Sequence, residues 1–101
     1  MWIAVLRIDL LIPGSRSLKD RRQAVRSLKE RLRSRFGVSC AEVGELDSWT
    51  RASLGVATVS NEKAFLQELT DQISRYARND PRVQVTNGVH DLFRYDEELH
   101  A

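Results

Sequence analysis

The sequence predicts an α+β domain whose six elements follow one another in the order β-α-β-β-α-β. Short apolar runs bounded by glycine, proline or polar residues occur four times, which is typical of strands. Two longer segments repeat apolar residues at helical spacing. The chain has 101 residues, of which 42% are hydrophobic and 30% charged, as expected of a globular protein. We therefore treat residues 1–101 as a single domain.

The N-terminal third is predicted to form a strand followed by a long helix. The apolar run 2–12 ends at Pro13 and Gly14 and is too short for a free-standing helix, so we expect a largely buried strand. Ser17 is a favourable N-cap, and Gly37 is typical of the residue that ends a helix. The apolar stripe of the helix between them comprises Leu18, Val25, Leu28, Leu32 and Phe36.

The middle of the chain is predicted to hold two strands and a second helix. The strands are 38–43 and 51–60, and the segment 44–50 between them is a turn or a strand-rich connection. Asn61 is the expected N-cap of the second helix, which ends before Pro81 because proline cannot continue it. Its predicted buried face comprises Phe65, Leu66, Leu69, Ile73 and Tyr76.

The last predicted strand covers 83–95. Asn87 and Gly88 interrupt it with a dipeptide that favours a bulge or a hairpin, and the tail 96–101 is expected to fray. Right-handed crossovers then give the ferredoxin-like split βαβ fold, a four-stranded antiparallel sheet with two helices on one face.

Such a fold leaves the other sheet face uncovered. The first strand nevertheless carries apolar residues on both faces: Trp2, Leu6, Ile8 and Leu10 on one, and Ile3, Val5 and Leu11 on the other. A sheet face in contact with water is usually polar. The uncovered face is therefore a candidate surface for self-association.

Composition indicates a cytoplasmic protein with no membrane partner. The single cysteine, Cys40, excludes an internal disulfide and is expected to pack inside. The apolar N-terminus has no basic leading region, is interrupted by Arg7 and Asp9, and is too short to span a bilayer. Positive charge is concentrated in residues 1–36, where ten Lys or Arg stand against three Asp or Glu.

Three motifs carry a resemblance to a known family. They are Ser-Leu-Lys-x-x-Arg at 17–22, Phe-x-Val-Ser-x-Ala-Glu at 36–42, and Asp-x-Trp at 47–49 followed by Ala-x-Leu-Gly-Val-Ala at 52–57. Together they resemble the bacterial YlxP-like proteins, a small family of unknown function. The resemblance implies a ferredoxin-like fold and no established activity. Because members are often encoded beside translation factors, it also suggests an RNA or ribosome context. Arg21 stands where the family usually has lysine.

The cations of the first helix form an ordered line on the helical wheel. Spacings of three, four, three and four place five of them on one flank of the apolar stripe. They are Lys19, Arg22, Arg26, Lys29 and Arg33, which we call the basic ridge. Such a ridge suits phosphate contacts with structured RNA. The alternative is that the stems cover the apolar edge while the charged ends stay solvated. Without aromatic residues in the middle of the central strands, neither base stacking nor DNA specificity is expected.

An acidic segment with several interpretations begins at the end of the second strand. It comprises Glu42, Glu45 and Asp47 and leads to Trp49. Its acids could bind a cation or act in acid–base catalysis. They could instead pair with Arg51 or the basic helix, or this segment of one copy could meet the basic ridge of another, with Trp49 as an anchor. No motif for a metal, a phosphate loop or a nucleophile occurs, so we expect no cofactor and no catalytic residue, and an enzyme is the less favoured class.

Three hypotheses about function remain, of which the third, a regulatory domain that binds a small ligand, rests only on analogy with other ferredoxin-like modules. The leading one is a small non-catalytic protein that binds structured RNA or a ribonucleoprotein through the basic ridge. The alternative is a protein-interaction or self-assembling module without a nucleic-acid role. It would be a homo-oligomer joined through the uncovered sheet face, or by the acidic segment binding the basic helix.

Overall fold

The computed structural model describes residues 1–44 and 48–95. The elements are β1 (Trp2–Leu11), α1 (Leu18–Phe36), β2 (Ser39–Val43), β3 (Arg51–Ser60), α2 (Lys63–Arg78) and β4 (Gln84–Arg94). The strands form one sheet in the order β2-β3-β1-β4, and every neighbouring pair is antiparallel. The predicted ferredoxin-like arrangement is therefore confirmed.

The hydrophobic core lies between the two helices and one face of the sheet. Alternate residues of the central strands point into it because successive strand side chains point to opposite faces. These residues are Ala4, Leu6, Ile8, Leu10, Ala52, Leu54 and Val56. The helices add side chains with no exposed surface, namely Leu28, Leu32, Leu66 and Ile73. Burying each of these contributes about 1.5–3 kcal/mol.

Both predicted ends of α1 are confirmed. The Ser17 hydroxyl accepts a hydrogen bond from the Asp20 backbone N–H at 3.1 Å, and the Asp20 carboxylate accepts one from the Arg16 N–H at 3.1 Å. Gly37 has a φ of 64°, and its N–H donates to the Arg33 carbonyl at 3.0 Å. These local contacts satisfy backbone groups that a helix end would otherwise leave unpaired.

Two predictions about α2 are wrong. The N-cap is Glu62 and not Asn61, and it makes no side-chain cap hydrogen bond. The Ser60 hydroxyl accepts the Glu62 N–H at 3.1 Å, and this turn places the helix entrance one residue later. Phe65 is exposed and not buried, because it lies about 100° around the helix from Leu66, at the edge of the buried stripe.

Strand β4 contains a bulge of the kind predicted. Asp9 pairs with Asn87 whereas Leu10 pairs with Val85, so Thr86 has no partner in the register. The Thr86 hydroxyl donates to the Asp9 carbonyl at 3.3 Å. The bulge thus directly precedes Asn87 and Gly88. The predicted fraying of the tail 96–101 lies outside the described residues, as do positions 45–47 of the connection between β2 and β3.

Candidate nucleic-acid interface on helix α1

Arg21 is directed into the protein. It is only 2% exposed, its Nε donates to the Arg51 carbonyl at 2.8 Å, and its terminal nitrogen forms an ion pair with Glu42. The guanidinium therefore connects α1 to both β2 and β3. Sequence reasoning missed this role. The available signal was the spacing of Arg21 from Val25 and Leu28, which places all three on one helix face.

The flank of α1 that faces α2 is held by a second arginine. Arg31 forms an ion pair with the buried Asp80 carboxylate and donates to the Tyr76 hydroxyl at 3.2 Å. The hydrogen bond to Asp80 raises the pKa of Arg31 above its ordinary value. Arg35 lies over the Tyr76 ring at 5.1 Å from its centroid, and Tyr76 meets Phe36 edge-on at 5.7 Å. These contacts join the two helices and engage the cations of this flank.

The basic ridge lies on the opposite flank, beside the edge strand β2. Lys29 and Arg33 are close enough to Cys40 of that strand to act on its thiol electrostatically. Burial raises the pKa of Cys40, and the two positive charges partly oppose that rise. Cys40 is buried, as predicted. The ridge is therefore at the outer edge of the protein, away from α2.

The ridge is exposed and little engaged within the chain. Lys19, Arg22, Arg26 and Arg33 are exposed, and Lys29 is half-buried. Among residues 1–44 and 48–95, the only ion pair within 4 Å of a ridge cation joins Arg33 to Glu30, at 3.7 Å. Both side chains are more than half exposed, and such pairs contribute at most about 1 kcal/mol. The line from Lys19 to Arg33 is about 21 Å long at 1.5 Å per residue.

Only part of the acidic segment lies within the described residues. Glu42 is engaged by Arg21 of its own chain, in agreement with the interpretation of an intrachain pair with the basic helix. Glu45 and Asp47 lie outside the described residues. Trp49 is exposed, and its role as an interaction anchor stays a prediction. No group of three or more His, Cys, Asp or Glu that could hold a metal ion occurs in the described parts of the chain.

The uncovered sheet face is a second candidate surface. Five of the nine exposed large hydrophobic residues in the described ranges lie on its strands: Val5, Val43, Val59, Val89 and Phe93. Near its centre is a polar cluster that sequence reasoning missed. The Ser53 hydroxyl donates to Asp9 at 2.6 Å, and Arg7 donates to the same carboxylate at 3.1 Å. The hydroxyl, and then Arg7, lower the pKa of Asp9. Arg7 and Asp9 are two residues apart in β1, so the sequence alone places them on the same face of the strand. The position of Ser53 beside Asp9 depends on the register of β1 and β3.

Membrane insertion through a helix has no support in the described residues. None of their helices combines the length and the apolar character needed to cross a membrane.

Comparison with known proteins identifies the family. The model of a family described as "Protein of unknown function (DUF503)" matches residues 3–89. The chain belongs to this family. A relative in Bacillus subtilis (strain 168), described as "Uncharacterized protein YlxP", is 26% identical over 84 residues, which are 83% of this chain and 91% of that protein. The resemblance to the YlxP-like proteins is therefore confirmed.

A solved structure shares the fold. SnoaB, a cofactor-independent oxygenase from Streptomyces nogalater, has a TM-score of 0.52 and 14% identity to this chain. The match covers 99% of this chain and 98% of SnoaB. At that identity the likeness shows the fold alone.

Proposed function

We propose that this protein binds structured RNA, alone or within a ribonucleoprotein, through the basic ridge of α1. The observation that carries the proposal is the contrast between two sets of cations on one helix. Arg21 and Arg31 are engaged by buried or partly buried acids, whereas the ridge has only the weak contact of Arg33 with Glu30 in the described part of the chain. Five positive charges are thereby concentrated along one exposed line.

This arrangement has a cost that a polyanion would relieve. Like charges three or four residues apart destabilise a helix by roughly 0.2–0.5 kcal/mol for each pair. The ridge contains four such neighbouring pairs, so the repulsion amounts to about 1–2 kcal/mol. Phosphates placed along the ridge would replace repulsion with attraction and release counterions.

The ridge favours a folded RNA over a flexible strand. Its cations are spaced along a rigid helix, so a ligand whose phosphates are already in place loses little conformational entropy on binding. The central strands carry no aromatic residue on the uncovered face, where Ile3, Val5, Ala57 and Val59 lie instead. We therefore expect recognition of phosphates and shape, with little base specificity.

The test is fluorescence anisotropy with a labelled stem-loop RNA and a pair of charge-matched variants. The ridge variant carries Arg22→Glu, Arg26→Glu and Arg33→Glu. The matched variant carries Arg75→Glu, Arg82→Glu and Arg94→Glu at exposed positions elsewhere. Each substitution changes the charge by two, so both variants change the formal net charge from +2 to −4.

The ridge variant is expected to lose about 100-fold in affinity, from roughly 1 kcal/mol for each exposed contact removed. The matched variant should remain within about threefold of the wild type. Circular dichroism should show both variants folded, since within residues 1–44 and 48–95 the only ion pair of a substituted ridge cation is the weak one between Arg33 and Glu30. Equal losses in the two variants, or no loss in either, would contradict the proposal.

A further inference from the structure

The uncovered sheet face holds a hollow with a volume of about 610 Å³. Its lining over β2 and β3 includes the small residues Ala41, Gly55 and Ala57, and its lining over β1 and β4 includes the larger Val5 and Val89. Arg33 of α1 also lines it. Along this hollow, the side chains are therefore small on β2 and β3 and larger on β1 and β4.

Strand register places the residues of this face in rows that run across the four strands. Ala41, Gly55, Arg7 and Val89 form one row across β2, β3, β1 and β4. The adjacent row consists of Ser39, Ala57, Val5 and Asp91. In both rows the first two positions hold small side chains and the last two hold larger ones.

We propose that a second copy of this chain covers the face, related by a twofold axis that runs parallel to the strands between β3 and β1. Such an axis keeps each row level and places β4 of each copy over β2 of the other. Val89 then lies over Ala41, Arg7 over Gly55, and Val5 over Ala57. Because the interface is isologous, each large side chain meets a small one in both directions.

Charge also favours a second copy as the occupant. The charged residues on the described strands of this face are Arg7, Asp9, Arg51 and Asp91, two of each sign. A face without net charge has little attraction for a polyanion, unlike the basic ridge. The same axis places Asp91 of each copy over the Ser39 hydroxyl of the other, which can donate a hydrogen bond to it.

The size of the face predicts a dimer that dissociates on dilution. Three strands of ten or eleven residues and one of five, spaced about 4.8 Å apart, offer on the order of 600 Å² per copy. A standard stable interface buries about 800 Å² per partner. Arg33 borders the hollow, whereas the other four cations of each basic ridge remain on the outer helix layers, about 30 Å apart for layer spacings of about 10 Å. The inference therefore does not rest on the proposed RNA binding.

The first experiment is sedimentation velocity from about 1 to about 500 μM protein, a range that covers dissociation constants of a weak dimer. We expect the mass to rise with concentration from 11.6 kDa to twice that value. Val89→Glu should raise the dissociation constant at least about 100-fold, since it places two charges over apolar hollows. The matched control is Phe65→Glu on α2, where the native side chain is 55% exposed, and it should leave the constant unchanged.

The second experiment tests the axis itself by chemical cross-linking. Ala41 and Val89 of one chain are separated by three strand spacings, about 14 Å. In the proposed dimer, Ala41 of one copy and Val89 of the other are separated only by the distance between the two sheets, about 10 Å. A bismaleimide with a reach of about 10 Å should therefore join two copies of the Ala41→Cys/Val89→Cys variant, and we expect a covalent dimer on a non-reducing gel. The matched control, Ala41→Cys/Phe65→Cys, should remain monomeric on that gel.

Three results would overturn the inference. The first is a mass of 11.6 kDa at every concentration, which would leave the face open to a different partner. The second is a dimer that Val89→Glu does not weaken, because it would use another surface. The third is equal cross-linking in the two double-cysteine variants, which would indicate random collisions.

Discussion

Replacement of Arg21 by alanine should destabilise this protein more than replacement of any ridge cation. The Arg21 side chain is 2% exposed and connects α1 to the sheet through Glu42 and the Arg51 carbonyl. Arg21→Ala removes the guanidinium from the Glu42 carboxylate and the Arg51 carbonyl and leaves a cavity beneath the helix. The charge of Glu42 then loses this partner while most of its side chain remains covered.

The structure sets the magnitude of this loss. Removing one partner of a buried ion pair costs about 3–5 kcal/mol. The Glu42 side chain is 23% exposed, so water replaces part of the lost interaction, and we expect a decrease of about 2–3 kcal/mol in the free energy of unfolding. Arg21→Lys keeps the charge but lacks the Nε–H that bonds to the Arg51 carbonyl. Its expected cost is about 1 kcal/mol.

The assay is urea denaturation followed by circular dichroism at neutral pH and fixed protein concentration. With an m-value of about 1.5 kcal/mol/M, the midpoint of Arg21→Ala should fall by about 1.3–2 M. The neighbouring exposed Arg22 supplies the control, since Arg22→Ala should stay within about 0.5 kcal/mol of the wild type. A double variant with Glu42→Gln should lose much less than the sum of the two single losses. A loss below about 0.5 kcal/mol for Arg21→Ala, or strict additivity with Glu42→Gln, would refute the reasoning.

Three further predictions concern pH and the ends of α1. Hydrogen bonds from the Ser53 hydroxyl and then from Arg7 lower the pKa of Asp9 below its ordinary 3.8. The ionised Asp9 carboxylate therefore stabilises the folded state above pH 3.8, and this stabilisation is lost as the pH falls through the pKa of the folded state. In urea unfolding at pH about 6 and about 2.5, Asp9→Asn should therefore lose less stability on acidification than the wild type, and an equal loss would contradict this assignment. Gly37→Ala should lower the free energy of unfolding by about 1 kcal/mol because the φ of Gly37 is 64°. Gly14→Ala is the control and should cost much less, since no atom lies within 4 Å of the added Cβ. Equal changes in melting temperature for the two variants would contradict this expectation. Ser17→Ala should cost about 1 kcal/mol by removing the acceptor of the Asp20 N–H, and an unchanged melting temperature would show that the cap is unimportant.

Local rules predicted the elements that depend on local contacts. The ends of α1 followed from Ser17 and Gly37, whose effects involve only neighbouring backbone groups. The second helix shows where such rules compete. Asn61 has a side chain that can cap a helix, but the Ser60 hydroxyl accepts the hydrogen bond of the Glu62 N–H, and the helix begins one residue later. Phe65 is apolar, but its position on the wheel puts it beside the buried stripe.

Contacts between elements were beyond the sequence alone. The wheel predicts that the ridge cations share a flank, because helix geometry fixes their relative positions. It does not tell which flank faces α2 and which lies beside β2. The burial of Arg21 likewise depends on where Glu42 and the Arg51 carbonyl meet the helix. The large-over-small rows of the uncovered face required the register of all four strands.

The most direct test of the central claim is the salt dependence of RNA binding. In a plot of the logarithm of the association constant against the logarithm of salt concentration, five phosphate contacts give a slope of about −3.5 to −4.5. The wild type and the matched variant should both show this slope. The ridge variant, with two ridge cations left, should fall to about −1.5 to −2. A slope near zero for the wild type, or the same slope in both charge-matched variants, would contradict binding through the ridge.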